Sequence, residues 1–184
     1  MSRKILIING STRENGNTDN LLNSLMGGIT AAGNSFNHII LRDNRINNCI
    51  GCYTCKYEGR CFIDDGVTEI RKAIEASHKI VFASPVYFTG VTGLMKTFFD
   101  RLFFYYHENN KSAILGREAM VISIMNQTDL EKEAYLLKKY YKVMLKCIGL
   151  LITDMLFFTD LMEKEAHKKY PQYYEKLYNL GFNL

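Results

Sequence analysis

The chain has 184 residues, a length that suits a single domain over residues 1–184. Hydrophobic residues make up 47% and charged residues 23%, as in ordinary soluble globular proteins, and the net charge is only +4. The basic residues form no stripe and match no nucleic-acid-binding motif, so we expect no nucleic-acid partner. There is no signal-peptide pattern and no apolar run of the ~18 residues that a membrane span needs, so we expect a cytoplasmic protein without a membrane partner.

Short apolar segments alternate with segments of helical spacing along the whole chain. The pattern predicts five strands, at Lys4–Asn9, Phe36–Leu41, Lys79–Ala83, Ala119–Met125 and Leu150–Phe158. It predicts helices at Thr18–Ala32, Val67–Ala76, Val91–Phe104, Leu130–Cys147 and, interrupted near Pro171, Glu163–Leu180. Such alternation predicts a parallel sheet with helices on both faces. Ligands bind these sheets at the carboxyl ends of the strands, which directs attention to the loops after the first, third and fourth strands.

The loop after the first strand reads GSTRENGNT, from Gly10 to Thr18, and leads into a helix. Its hydroxyl groups and backbone N–H groups, together with the helix dipole, suit a phosphate. The spacing is not that of a P-loop, which needs a Lys before the Thr, and it is not G-x-G-x-x-G. The loop therefore favours a phosphate monoester, and the alternative is a polar turn that caps the helix.

The loop after the third strand begins ASPVYFTG, from Ala83 to Gly90. Pro85 is expected to break the strand at the carboxyl edge of the sheet. The residues that follow, Val86 to Thr89, place apolar and aromatic surface beside glycine, on which a flat heteroaromatic ring could lie. The alternative is a connecting turn whose aromatic residues fill the core.

Four of the five cysteines lie in the stretch CIGCYTCKYEGRC, as Cys49, Cys52, Cys55 and Cys61. They could hold an iron–sulfur cluster, remain free or redox-active thiols, or bind zinc, although structural zinc usually joins two separated pairs of ligands. Disulfides are disfavoured in a compartment that keeps thiols reduced. Cys147 lies in a helical pattern and is predicted to be a small core residue.

The two loops together resemble the flavodoxin-like NAD(P)H-dependent FMN reductase family over essentially the whole chain. The family's phosphate loop G-S-x-R-x-x-G-N-T corresponds to residues 10–18, its isoalloxazine loop S-P-[VI]-Y-[WF] to residues 84–88, and a helix ending F-x-D-R to residues 98–101. The resemblance implies a flavodoxin-like α/β three-layer sandwich with a five-stranded parallel sheet of order 2-1-3-4-5, bound FMN and a homodimer. It implies a phosphate site formed by Ser11, Arg13, Asn17 and Thr18. It also implies a flavin-ring site formed by Pro85, Val86, Tyr87, Phe88 and Thr89.

The chain departs from the family after the fourth strand, where many members carry glycines. Here the residues are Ser123, Met125, Asn126 and Gln127, and the last two are candidates for hydrogen bonds to a flavin edge. The cysteine spacing resembles C-x2-C-x2-C-x(4–7)-C of iron–sulfur flavoproteins, a branch of the same superfamily. That branch implies a [4Fe–4S] cluster on the four cysteines, whereas related reductases carry a similar segment without one.

Three hypotheses about function follow. The first is an FMN-dependent oxidoreductase that passes electrons from NAD(P)H through FMN to a small-molecule acceptor such as a quinone, a flavin or a nitro compound. The second is an iron–sulfur flavoprotein that carries electrons between protein partners such as ferredoxin. The third is a binding module that has lost its flavin. His167, among three lysines, is predicted on a solvated helical face, and no motif supports hydrolase chemistry.

Overall fold

The computed structural model describes residues 2–128 and 130–184, with the side chains of residues 130–133 outside the description. The strands are β1 (Lys4–Asn9), β2 (Ser35–Ile40), β3 (Lys79–Tyr87), β4 (Gly90–Val91), β5 (Glu118–Ile124) and β6 (Leu151–Phe158). The helices are α1 (Asn17–Ala31), α2 (Thr54–Tyr57), α3 (Gly66–Glu75), α4 (Gly93–Arg101), α5 (Glu108–Lys111), α6 (Leu130–Cys147) and α7 (Pro171–Phe182). Three 3-10 turns cover Leu41–Asp43, Leu102–Tyr106 and Ala166–Lys169.

Five strands form a parallel sheet in the order β2-β1-β3-β5-β6. This is the predicted order 2-1-3-4-5 with the two-residue β4 set aside, so the flavodoxin-like prediction is confirmed. β4 adds a short antiparallel hairpin to the end of β3, which the sequence pattern did not indicate. β1 lies between β2 and β3, and its residues from Ile5 to Ile8 are wholly buried, as expected for an interior strand that faces helices on both sides.

Alternate residues of the central strands point into two separate hydrophobic cores. Ile5 and Ile7 of β1 belong to the core beneath α1 and α7. Leu6 and Ile8 belong to the other core, beneath α3, α4 and α6. The result is the predicted three-layer sandwich. Within the described residues, no helix is both long and apolar enough to span a bilayer.

Two glycines allow α1 and α7 to pack backbone against backbone. A Cβ atom added at Gly28 of α1 would meet the carbonyl oxygen of Tyr178 at 2.0 Å. A Cβ atom added at Gly181 of α7 would meet the carbonyl oxygen of Leu25 at 2.2 Å. No side chain fits at either position, so these glycines set the distance between the two helices.

The prediction that Pro85 breaks the third strand was wrong. β3 continues through Pro85 to Tyr87, and Pro85 pairs with Ile124 of β5. The last β3 residue paired with β1 is Ala83, so Pro85 lies beyond that neighbour on one side of the strand. The missing N–H of proline therefore removes no bond to β1, as is usual for proline at the edge of a sheet.

Two further predictions about single residues were wrong. Cys147 is exposed rather than part of the core. His167 is buried rather than solvated, because the 3-10 turn carries it against α1 and α7, where its ring lies in hydrogen-bonding contact with the hydroxyl of Tyr174. The predicted interruption near Pro171 is present: helical structure stops at Tyr170, between the 3-10 turn and α7, and Pro171 begins α7, where its fixed φ suits the first helical turn.

Candidate functional site

The loops that follow β1 and β3 are fastened to each other at the carboxyl edge of the sheet. The N–H of Gly10 donates to the carbonyl of Ala83 at 2.8 Å, and the hydroxyl of Thr92 donates to the carbonyl of Gly10 at 2.7 Å. Gly10 has to be glycine, because a Cβ atom there would lie 2.8 Å from Met95. The sheet thus places the loop of residues 10–18, called the phosphate-type loop, beside the loop of residues 83–90, called the aromatic loop. This is the arrangement that the fold predicts.

Between these loops lies a cavity of about 150 Å³. It is lined by seven of the nine predicted flavin-site residues, namely Ser11, Arg13, Asn17, Thr18, Pro85, Val86 and Tyr87. Asn126, which follows β5, lines it as well, whereas Gln127 does not. The structure therefore brings the residues of both sequence motifs together in one place.

The other two predicted residues lie elsewhere. The side chain of Phe88 is fully exposed, and Phe88 and Thr89 both adopt positive φ values, of 45° and 64°. Thr89 lines a different cavity, of about 300 Å³, together with Val91 and Tyr140. These two residues form the turn of the β3–β4 hairpin, which carries them away from the phosphate-type loop.

The N-terminus of α1 presents unpaired donors to the smaller cavity. Gly16 caps the helix without a side-chain acceptor. In the part of the chain that the structure describes, the backbone N–H groups of Gly16, Asn17 and Thr18 have no hydrogen-bond acceptor. Such donors, with the positive end of the helix dipole, form an anion-binding site. The hydroxyl-bearing side chains of Ser11 and Thr18 line the same space.

A partly buried network fixes the shape of the phosphate-type loop. Asp19 accepts hydrogen bonds from the side chain of Asn9 at 2.6 Å and from the N–H of Asn15 at 2.8 Å, and it pairs with Arg42 at 2.9 Å. Arg42 also donates to the carbonyl of Ser11 at 3.2 Å. Because these bonds fix the conformation of the loop, its N–H groups are already oriented in the absence of a ligand.

The segment after β6 closes one side of the cavity. The side-chain amide of Asn17 donates to the carbonyls of Leu161 at 3.0 Å and of Glu163 at 2.7 Å, and its oxygen accepts from the N–H of His167 at 3.1 Å. Arg13 donates to the carbonyl of Met162 at 3.1 Å. In this structure the side chain of Asn17 therefore holds protein backbone and has no free amide hydrogen for a phosphate.

The cysteine-rich stretch surrounds a second and larger cavity, of about 440 Å³. All five cysteines line it: Cys49, Cys52, Cys55 and Cys61 from the loop, and Cys147 from the end of α6. Exposed aromatic residues, among them Tyr53, Phe103 and Tyr106, complete the walls. No local pattern in the sequence linked Cys147 to the other four cysteines.

The thiols in this cavity do not share one environment. A hydrogen bond from the Thr54 hydroxyl lowers the pKa of Cys52. Burial, and secondarily the nearby Cys61, raises the pKa of Cys55. Among the described residues, no three His, Cys, Asp or Glu side chains are grouped so as to hold a metal ion. Cysteine thiolates are the ligands of a [4Fe–4S] cluster. In this structure, however, the four thiols of the motif are not gathered around one point.

A buried ion pair anchors the cysteine loop to α4. Arg101 pairs with Asp65 at 2.8 Å, and both side chains are only 1% exposed. Arg101 also donates to the carbonyls of Asn47 and Ile63 and contacts the sulfur of Cys61 at 3.4 Å. Burial alone raises the pKa of Asp65, but the hydrogen bonds from Arg101, Asn47 and Val67 outweigh it and leave that pKa below its ordinary value.

Residues 3–147 match the model of a protein family described as NADPH-dependent FMN reductase. The chain belongs to this family.

This FMN reductase family member resembles known proteins in sequence and in fold. The chain is 42% identical over 98 residues to an iron-sulfur flavoprotein of Methanocaldococcus jannaschii, covering 53% of the chain and 51% of that protein. It is 36% identical over 118 residues to an iron-sulfur flavoprotein of Archaeoglobus fulgidus, covering 64% and 54%. The chain thus spans about half the length of the curated relatives it matches. Its fold resembles that of an NAD(P)H:quinone oxidoreductase from Methanothermobacter marburgensis, with a TM-score of 0.77, 16% identity and coverage of 100% and 97%.

The sequence did not predict two parts of the site in this FMN reductase family member. Leu161 and Met162 lie about 145 residues from the loop they contact, and no motif marks them. Arg42 follows β2 without any pattern that ties it to Asp19. An acidic residue in the first turn of α1 was the one available signal, because a carboxylate is favoured at a helix N-terminus.

Proposed function

We propose that the chain is an FMN-dependent oxidoreductase that takes electrons from NAD(P)H and delivers them to a small-molecule acceptor. The observation that carries this proposal is the cavity in which the α1 N-terminus and the β3 loop meet. Family membership and the residues that line the cavity support it. When bound, FMN supplies the hydride and electron-transfer chemistry.

The residues of the smaller cavity fit one end of FMN. The unpaired N–H groups of residues 16–18 and the hydroxyls of Ser11 and Thr18 suit the dianionic phosphate. The cavity of about 150 Å³ is smaller than the roughly 300–1,000 Å³ of whole ligand sites, so it accounts for the phosphate end rather than the entire cofactor. Val86 and Tyr87 supply the apolar and aromatic surface for the ring.

The remaining residues would orient the cofactor and shield it. The Arg42–Asp19 pair keeps the N–H groups aimed into the cavity. Arg13 is exposed beside the cavity, and its positive charge favours an anion there even while it donates to Met162. Thr12 and Tyr87 bridge the two loops through their hydroxyls at 3.4 Å, which limits their separation. In this proposal the protein positions the cofactor and contributes no acid–base pair.

Removing two phosphate contacts tests the FMN site. The double substitution Arg13→Ala with Thr18→Ala is expected to weaken FMN binding by at least about 100-fold, because each of the two lost contacts to a charged group contributes roughly 1.5–3 kcal/mol. The affinity is measured by the loss of FMN fluorescence as FMN is titrated into apo-protein. Thr30→Ala, at the exposed far end of α1, is the control and should leave the affinity unchanged. Equal affinity in the double variant and the wild type rejects the phosphate-site assignment.

A second candidate function is an electron carrier with FMN and a [4Fe–4S] cluster, and the cysteine cavity favours it. Four thiols line one cavity, and two relatives are named iron-sulfur flavoproteins. Cluster assembly would require the loop to gather its thiols, and Gly51, which has a φ of 66° and open space around it, is a natural pivot. The partner would then be a protein such as ferredoxin. Slow steady-state oxidation of NAD(P)H would favour a carrier over an enzyme, and both proposals place the protein in the reducing cytoplasm.

Metal analysis tests the cluster. Protein purified without oxygen is expected to contain about four irons and four sulfides per chain, the stoichiometry of a [4Fe–4S] centre. Cys55→Ser should abolish this content. Cys147→Ser, which removes a thiol from the same cavity but outside the motif, should retain it. Flavin without iron in the wild-type protein would leave the cysteines as structural or redox-active thiols and favour the first candidate. A colourless protein that takes up no FMN would contradict both.

A further inference from the structure

One asparagine side chain holds the segment after β6 at three points. The side-chain amide of Asn17 donates to the carbonyls of Leu161, at 3.0 Å, and of Glu163, at 2.7 Å. Its oxygen accepts from the N–H of His167 at 3.1 Å. We call residues 161–167, which these three bonds span, the cover segment. Asn17 is only 6% exposed, so solvent competes little for the bonds.

The middle of the cover segment has few other attachments. Residues 162–165 are all exposed, between a buried Leu161 and a buried Ala166. Apart from bonds to the 3-10 turn that follows, the hydrogen bonds that the structure describes for these four residues come from two side chains, Arg13 and Asn17. A segment with little burial and few hydrogen bonds opens at a low cost in free energy. The two side chains therefore provide most of what keeps residues 162–165 in place.

The cover segment forms a wall of the cavity at the N-terminus of α1. Leu161 and Met162 line this cavity together with Arg13, Asn17 and Thr18. The carbonyl of Met162 accepts from the Arg13 side chain at 3.1 Å, so the wall is bonded to a second residue of the phosphate-type loop. Because the cavity holds only about 150 Å³, the wall limits what can enter or leave it. A group bound there would leave faster if the wall opened more often.

The side chain of Asn17 is poorly suited to contact a phosphate directly. Both of its amide hydrogens are donated to backbone carbonyls, and its oxygen can only accept. Turning one hydrogen toward an anion would leave the carbonyl of Leu161 or Glu163 without its donor, a loss comparable with the bond gained. The donors available to an anion are instead the unpaired backbone N–H groups of residues 16–18.

We propose that Asn17 is a positioning residue, which retains FMN by holding the cover segment in place rather than by contacting the phosphate. This inference rests on the proposed function, because it takes the cavity to receive the phosphate end of FMN. It adds a role for residues 161–167, which no sequence motif marks, and changes the role of Asn17 from ligand to support. Loosening the cover segment should therefore speed the departure of FMN.

Hydrogen exchange in the protein without FMN tests the support. In Asn17→Ala the N–H of His167 loses its acceptor, so we expect it to exchange at least about tenfold faster than in the wild-type protein. Asn110→Ala is the matched control, because the buried Asn110 amide also donates to two backbone carbonyls, those of Cys55 and Phe104. None of these three residues lines the cavity, so exchange at His167 should not change. Unchanged exchange in Asn17→Ala would overturn the proposal.

The rate of FMN dissociation tests the wall. Recovery of FMN fluorescence after dilution of the loaded protein measures this rate. Asn17→Ala is expected to raise it by about tenfold, and Met162→Ala by several-fold, because each opens the same wall. The double variant should then release FMN no faster than Asn17→Ala alone. Met162 is 63% exposed, so its variant should fold whatever the effect of Asn17→Ala on stability.

Each contrary result has a distinct meaning. Effects that multiply in the double variant would show that Asn17 contacts FMN independently of the wall, and would overturn the proposal. Release of FMN from Met162→Ala at the wild-type rate would overturn it as well. A wild-type chain that takes up no FMN would reject the proposed function and this role together. Unchanged exchange at His167 in a chain that does bind FMN would reject this role alone.

Discussion

Replacing Gly28 by Ala is expected to lower the free energy of unfolding by about 2 to 3 kcal/mol, the upper part of the range for overpacking a close contact. The new Cβ atom would lie 2.0 Å from the carbonyl oxygen of Tyr178, a backbone atom that no rotamer change can move. α7 would have to shift as a whole, which would loosen the core shared with α1. Urea denaturation followed by circular dichroism measures the change.

Gly27 provides a control one residue away on the same helix. A Cβ atom there would approach only the ring of Tyr178, at 3.8 Å, an ordinary contact. Gly27→Ala is therefore expected to stabilise the protein by up to about 1 kcal/mol, because alanine favours a helix interior over glycine. If both substitutions changed the stability by the same amount, helix propensity rather than the α1–α7 contact would be the cause, and the packing explanation would fail.

Replacing Arg101 by Met is expected to destabilise the protein by about 3 to 5 kcal/mol. The substitution leaves the Asp65 carboxylate buried without a partner, and an unpaired buried charge is more costly than the ion pair it came from. It also frees the carbonyls of Asn47 and Ile63, which hold the two ends of the cysteine loop. Faster reaction of the loop cysteines with a thiol reagent, measured beside urea denaturation, would report the loss of this anchor.

Two further variants identify the cause. Lys96 pairs with Asp100 on the same helix, but both side chains are about half exposed, so Lys96→Ala should cost less than about 1 kcal/mol. Adding Asp65→Asn to Arg101→Met should restore part of the lost stability, because a neutral amide needs no counter-charge. A double variant as unstable as the sum of the two single ones would show that Arg101 acts through its packing and not through its charge.

The sequence predicted those parts of the fold that depend on local pattern. Branched apolar runs marked the five long strands, and the predicted bounds of β1 and α6 agree with the structure at both ends. The two loop motifs are also local, which explains why Ser11 and Thr18 could be named beside Pro85 and Val86. The fold itself then brought them to one cavity.

The remaining features depend on contacts between distant parts of the chain. Cys147 follows the apolar spacing of α6, yet the buried side of that helix is narrower than its apolar arc, so the residue is exposed. His167 is surrounded by lysines in the sequence, yet its hydrogen bonds with Asn17 and Tyr174 place it in the interior of the protein. The partners of Arg101 were equally hidden, because nothing in a helix ending F-x-D-R tells which carboxylate lies opposite.

The bonds of Asn17 to the backbone around Leu161 also bear on how the protein is made. They join residues 144 and 146 positions apart, and the glycine contact between α1 and α7 spans a similar separation. Closing so long a loop costs chain entropy and comes late in folding. During synthesis α1 therefore leaves the ribosome well before the residues around Leu161 and in α7 that contact it. The loop of residues 10–18 therefore gains its contacts with the segment after β6 only once residues 161–163 have left the ribosome.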